Sequence, residues 1–184
     1  EKNSTVTDSY SYFDFESLDE HYETKDIMGL DISNVEKRKK FKAIGKGRIT
    51  IDSGAAESVM PVDMLKQVAT IPSDASKQKT IYTSADGGQM WNHGHSYVQF
   101  RNIGEEAINM ADFQRTTVKK PLASVRRIVE KGNRVTFDEN GGSIENIKTG
   151  KKIGIIHNNG TYAIEVEYMV EDDESTKADF TRQW

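Results

Sequence analysis

The chain contains no cysteine, which removes disulfides, thiolate nucleophiles and cysteine-based zinc sites from consideration. It also lacks any apolar run of the ~18 residues that a membrane-spanning helix needs. No apolar signal-peptide core is visible near its start, so neither a membrane partner nor a secretory leader is expected. These absences are compatible with a reducing compartment, and the expectation is an intracellular, cytoplasmic protein. What is present is polar but not disordered by composition: hydrophobic residues make up 35% and charged residues 29% of 184. That length suffices for one domain with its own core, with or without extended ends.

The net charge of −4 hides an asymmetry. Residues 1–36 carry 10 acidic and 2 basic side chains, residues 37–170 carry 14 acidic and 21 basic, and residues 171–184 carry 5 acidic and 2 basic. A basic body therefore lies between an acidic extended segment and an acidic tail. Two readings of residues 1–36 stand side by side. They are a solvated linker that aids solubility, or a pro-region that folds back on the basic body through the aromatics of "YSYFDF" (10–15).

Within the body, "KKFKAIGKGRITID" reads as a hairpin turning at Gly45-Lys46-Gly47. "PVDMLKQV" (61–68) opens with proline and predicts one or two helical turns. "KTIYTS" (79–84) and "SYVQFRN" (96–102) read as strands around the bend "ADGGQMWNHG", and "AINMADF" (107–113) as another. "PLASVRRIVEKGN" (121–133) predicts the best helix, opened by Pro121, with Leu122, Val125, Ile128 and Val129 on one face. "RVTF", "SIENI", "KKIGII" and "TYAIEVEYMV" are short strands divided by the turns "DENGG", "KTG" and "HNNG". Seven to nine short strands with so little helix predict a mostly β, closed or nearly closed barrel rather than a parallel α/β sheet.

The stretch that carries chemistry is "ITIDSGAA" (49–56). Apolar and polar residues alternate through Ile49, Thr50 and Ile51, and the strand then delivers Asp52, a poor strand residue and a costly one to bury unpaired. In one reading Asp52 is a turn former that caps local backbone N–H groups. In the other it is half of an aspartic peptidase centre. There Gly54 permits close backbone approach, small Ala55 leaves room for a peptide, and the Ser53 hydroxyl fixes the loop. That chemistry needs two carboxylates sharing one proton, the charged one activating water and the protonated one polarising the scissile carbonyl. Only one Asp-Ser-Gly is present, since Asp86-Gly87 lacks both strand and hydroxyl. The second aspartate would then come from a second copy of the chain across a two-fold axis.

"ITIDSGAAESVMP" resembles the active-site segment of retropepsin-like aspartic proteases, specifically those of copia-type retrotransposon polyproteins. "TIYTSADGGQMWNHGHSYVQF" is similar to that family's strand, Asp-Gly bend and return strand. "KKPLASVRRIVEKGNRVTFDENGGSIENIKTGKKIGIIHNNGTYAIEV" is similar to its segment downstream of the flap. The resemblance covers roughly residues 40–168 and implies a homodimeric retropepsin-like barrel over 37–170 that needs no cofactor. It implies Asp52 as the catalytic aspartate, Ser53 and Gly54 as the active-site loop, and Ala55 as cleft lining. It also implies a flap over 85–94, with Gly87, Gly88 and Gly94 as bend points and Met90 or Trp91 covering a peptide or polyprotein substrate. The chain departs from the family in having no Trp shortly before Asp52, and "PLASV" stands where viral retropepsins have two hydrophobic residues and a glycine. An alternative function on the same fold is a non-catalytic dimerisation or peptide-binding module.

Other signals are weaker. His93 and His95 share a strand face but lack a third ligand near in sequence, so no metal is expected. The spacing of a nucleophile-elbow serine hydrolase is missing from "DSGAA". The basic stretch 119–134 has charge for nucleic-acid phosphates, yet lysines and arginines opposite an apolar face are the ordinary pattern of a solvated helix.

Overall fold

The computed structural model describes residues 40–172, so the acidic segment 1–36 and nearly all of the acidic tail lie outside the described residues. The first element, β1 (Phe41–Asp52), is a long strand whose alternation at its end buries Ile49 and Ile51 and leaves Asp52 last. There follow β2 (Val59–Pro61), α1 (Asp74–Lys77), β3 (Ile81–Thr83), β4 (Gln89–Trp91), β5 (His95–Asn102), β6 (Asn109–Thr116), β7 (Leu122–Ser124) and α2 (Val125–Glu130). The chain ends in β8 (Asn133–Asp138), β9 (Gly141–Asn146), β10 (Lys152–Asn158) and β11 (Thr161–Glu171).

Strands make up 53% of the described residues, and six of them close a barrel in the order β1-β7-β2-β6-β5-β11, with β11 returning to β1. The β1–β11 seam is antiparallel from Phe41↔Glu171 to Thr50↔Ala163. Strands β10, β9 and β8 extend the sheet beyond β11, and β3 and β4 form a separate hairpin. The interior is filled by Ile49, Met60, Val98, Phe100, Phe113, Ile128, Ile164, Val166 and Tyr168, all fully or almost fully buried. The mostly β, closed-barrel expectation therefore holds.

Four local expectations fail for physical reasons. Residues 41–52 form one strand rather than a hairpin, with an irregularity in the pairing between Ala43 and Gly45. Gly47 is needed not for a turn but for the ring of Tyr168: a Cβ there would lie 2.9 Å from Tyr168 Cε2. Residues 61–68 are not helical. Pro61 ends β2, Leu65 adopts a left-handed φ of 50°, and turns close through Met64 N–H to Pro61 O (3.2 Å) and Val68 N–H to Leu65 O (2.9 Å). The segment is held instead by Arg115, whose fully buried guanidinium donates to Pro61 O (3.0 Å), Met64 O (2.7 Å) and Ser96 Oγ (2.8 Å). A helix would have turned those carbonyls to its own backbone.

The third is the helix expected over 121–133, which is helical only at 125–130. Pro121 O accepts from Thr50 N–H (3.1 Å), and Leu122–Ser124 pair in parallel with the end of β1 before Ser124 caps the helix. On the face assigned to packing, Ile128 is buried but Val129 is 49% exposed. The turn expected from "DENGG" is also shorter than its motif, because Gly141 and Gly142 belong to β9.

Candidate active site

Parallel pairing of β1 with β7 sets Thr50 opposite Leu122, Ile51 opposite Ala123 and Asp52 opposite Ser124. The buried strands thus carry Asp52 to one end of the barrel, where it is half-buried while Ser53 and Gly54 are exposed. Its Oδ1 accepts the Gly54 N–H (2.8 Å), and Oδ2 has no hydrogen-bond partner among the described residues. The Gly54 bond is the local cap that one reading of Asp52 foresaw. It engages one oxygen only and leaves the other available. A Cβ at residue 54 would lie 3.3 Å from Oδ1, so glycine gives the carboxylate room as well as a donor.

The loop returning from Asp52 is stapled to β7 and α2. Fully buried Ser124 donates its Oγ to Ala55 O (2.6 Å) and its N–H to Ser58 Oγ (2.9 Å), while the same Oγ accepts from Arg127 N–H (3.4 Å). Glu57 takes the guanidinium of Arg127, with Nε to Oε2 at 2.9 Å and a second, shorter contact from Nη2 to Oε1. Arg126 donates to Ala56 O (3.0 Å) and to Glu130 Oε1 (2.9 Å). These bonds change the meaning of the basic stretch: both of its central arginines are engaged by Glu57 and Glu130 rather than presented to phosphates.

The segment read as a flap forms an arm hung from the barrel. Ile71 and His95 exchange backbone hydrogen bonds at 2.7 and 2.8 Å, closing residues 72–94 into one excursion that contains α1 and the β3–β4 hairpin. Gly87 has φ 85° in the hairpin turn. Gly88 O accepts from Ser84 N–H (2.8 Å), and a Cβ on Gly88 would meet Ser84 Oγ at 2.8 Å. The Ser84 hydroxyl, followed by the Gly88 N–H, holds the Asp86 carboxyl below the usual aspartate range. Met90 is half-buried opposite Tyr82, whereas Trp91 is exposed opposite Ile81. Gly94, at φ 121°, passes so close to Ile71 that a Cβ would lie 2.5 Å from its carbonyl oxygen. Burial raises the Tyr82 phenol, with the Asn92 hydrogen bond opposing the shift, and the arm's base reaches the Asp52 loop through Asn92 Nδ2 to Gln114 Oε1 (2.7 Å) and Gln114 N–H to Ser58 O (2.9 Å). Asp52 itself makes no hydrogen bond to the arm.

The two histidines do not form a pair. His93 is exposed in a connection, and His95 Nδ1 meets Asp112 Oδ1 at 2.7 Å across β5 and β6. Burial raises the Asp112 carboxyl, with His95 opposing the shift. No group of three or more metal-ligating side chains occurs among the described residues. The residues that sequence reasoning missed are Ser58, Glu57, Ser124 and Asn92. Each gains its place only through long-range pairing, although Ser124 just before "VRRIVE" carried the signature of a helix cap. No family model, curated protein or solved structure matches the chain.

Proposed function

We propose that the chain is an aspartic endopeptidase of retropepsin type, built from two copies that each contribute Asp52, and that it processes a retrotransposon-type polyprotein. The observation that carries this reading is the setting of Asp52. A strand buried in the core ends in a half-buried carboxylate with one oxygen held by Gly54 N–H and the other unengaged, on an exposed Ser-Gly turn. A carboxylate placed only to shape its turn would gain nothing from a loop braced by Ser124, Ser58 and the Glu57–Arg127 pair. A reacting group requires that fixity. The ordered likeness of the flanking segments to copia-type proteases supports the polyprotein substrate.

In this mechanism two such turns meet across a two-fold axis, and the exposed Ser53 hydroxyls lie beside the contact. Two carboxylates about 3 Å apart cannot both ionise, so one holds a proton. The charged Asp52 takes a proton from a water lying between the pair, the water oxygen attacks the peptide carbonyl, and the protonated Asp52 hydrogen-bonds the developing oxyanion. The tetrahedral intermediate then breaks its C–N bond as the amine receives the proton that the first Asp52 took from the water, while the intermediate's hydroxyl proton returns to the dyad, which again holds one proton. The hairpin arm serves as the flap, adding backbone hydrogen bonds along an extended substrate.

The test is hydrolysis of a mixed peptide library by the full chain, read by mass spectrometry, with Asp52→Asn alongside. Cleavage that vanishes in Asp52→Asn supports the proposal. Cleavage surviving that change, or peptide binding without turnover by the unaltered chain, refutes it, and the second result identifies a binding module.

A further inference from the structure

Asn92 is 6% exposed at the junction where β4 leaves the arm, and its side chain bonds four separate pieces of the molecule. Its Nδ2 donates to the Tyr82 hydroxyl (3.0 Å) and to Gln114 Oε1 (2.7 Å). Its Oδ1 accepts from Ser73 Oγ (3.1 Å) and from Gly94 N–H (2.8 Å). Tyr82 belongs to the opposite strand of the hairpin, Ser73 caps α1, Gly94 starts the return to the barrel, and Gln114 stands on barrel strand β6. The amide thereby satisfies all its donors and acceptors, as a buried amide must.

The four bonds are not equivalent. Those to Tyr82, Ser73 and Gly94 hold the arm's own parts together, whereas the bond to Gln114 joins the arm to the barrel by a side chain. Backbone links at Ile71–His95, from His93 N–H to Arg115 O (2.9 Å) and from Arg115 N–H to Gly94 O (2.7 Å) pin the root, and the Asn92–Gln114 bond is the side-chain link that resists tilting of the arm beyond it. Gln114 N–H is in turn bonded to Ser58 O (2.9 Å), in the loop that returns from Asp52. The tether therefore runs from the flap through Asn92 and Gln114 to the segment that positions the catalytic aspartate.

We infer that Asn92 is a positioning residue for substrate binding, setting the resting height of the flap over the cleft by bonding Tyr82 within the arm and Gln114 on the barrel. The inference rests on the proteolytic reading for its effect on turnover, but its structural half can be measured without catalysis. Because Asn92→Ala strips four bonds from a buried site, the decisive variants lie at its partners. Gln114→Met keeps the shape and removes the tether to the barrel, and Tyr82→Phe removes the bond inside the hairpin. Asn92→Asp is the conservative variant: its carboxylate keeps both acceptor roles, and the Gln114 amide and Tyr82 hydroxyl can turn to donate to it.

The experiment combines hydrogen exchange of the full chain with peptide kinetics. In Gln114→Met, exchange over residues 80–92 should quicken about fivefold to tenfold, the effect of one lost hydrogen bond, while β5 and β6 exchange as before. The KM for peptide should rise by a similar factor with kcat near that of the unaltered chain, and Asn92→Asp should stay close to the unaltered chain in both readouts. Unchanged exchange in Gln114→Met, whether or not the chain cleaves, or KM and kcat worsening together with exchange of the whole barrel, would overturn the assignment of Asn92. Absence of cleavage by the unaltered chain would instead remove the proteolytic reading, and the role in turnover with it.

Discussion

Replacing Ser124 by alanine probes how the barrel holds its candidate catalytic loop. The side chain is fully buried, and its hydroxyl donates to Ala55 O at 2.6 Å while capping α2 through Arg127 N–H at 3.4 Å. A typical buried hydrogen bond is worth about 1 kcal/mol, and loss of a serine cap costs about as much, the long cap distance placing it at the lower end. Ser124→Ala should therefore destabilise the chain by about 1.5–2 kcal/mol, or roughly 3–8 °C in Tm for a protein of this length. The loss is concentrated beside Asp52, which pairs with Ser124 in the β1–β7 register. Peptide hydrolysis should consequently fall by about tenfold or more at temperatures where the variant is still folded, because small misplacements of reacting groups are costly. Urea and thermal melts followed by circular dichroism measure the first effect, and initial rates measure the second. A variant that melts with the unaltered chain and cleaves at its rate would show that the loop is held by other means, and the reasoning would be wrong.

Gly142→Ala should cost about 3–5 kcal/mol, since its Cβ would lie 1.9 Å from Thr136 O at a φ of 146°; Gly154→Ala, with nothing within 4 Å, should stay within about 1 kcal/mol. Chemical denaturation of both variants checks the contrast, and equal effects would contradict the β8–β9 geometry. Burial raises the Asp112 carboxyl above its ordinary 3.8, so the folded state holds that proton more tightly than the unfolded chain does. The stability this group contributes is full below 3.8 and is lost as pH rises through the raised value. Asp112→Asn should therefore be as stable as the unaltered chain, or more so, at pH ~7, and lose that standing as pH falls toward the ordinary aspartate range. A deficit at neutral pH that disappears in acid would mean that the His95 bond outweighs the cost of burial.

The β character and most strands were legible because alternation in segments such as "SYVQFRN" maps onto the buried and half-buried faces of β5. The place of Asp52 at a strand end was legible because the alternation through Ile49, Thr50 and Ile51 stops at it, and its cap on the Gly54 N–H is one of the two uses that its Ser-Gly turn suggests. The failures share one cause, which is that long-range partners decided local structure. "PLASV" looks helical in isolation, yet β1 draws residues 122–124 into a parallel strand before the helix begins. "PVDMLKQV" loses its helix to Arg115, more than 50 residues away in the chain, which claims its carbonyls. Gly45-Lys46-Gly47 imitates a hairpin turn, but its second glycine accommodates the ring of Tyr168. Asn92 gave no signal at all, because a lone asparagine in a Gly-rich bend is ordinary turn chemistry until its four partners are assembled around it.

In the proposed enzyme a single chain holds half of a hydrolytic centre. Specific activity measured across a dilution series, with the mass in solution followed by sedimentation equilibrium on the same samples, tests it most directly. Activity per chain should fall on dilution in step with the dimer fraction, and adding excess Asp52→Asn chain should lower it further by forming inactive mixed pairs. Constant activity per chain at concentrations where only monomer is present would contradict it.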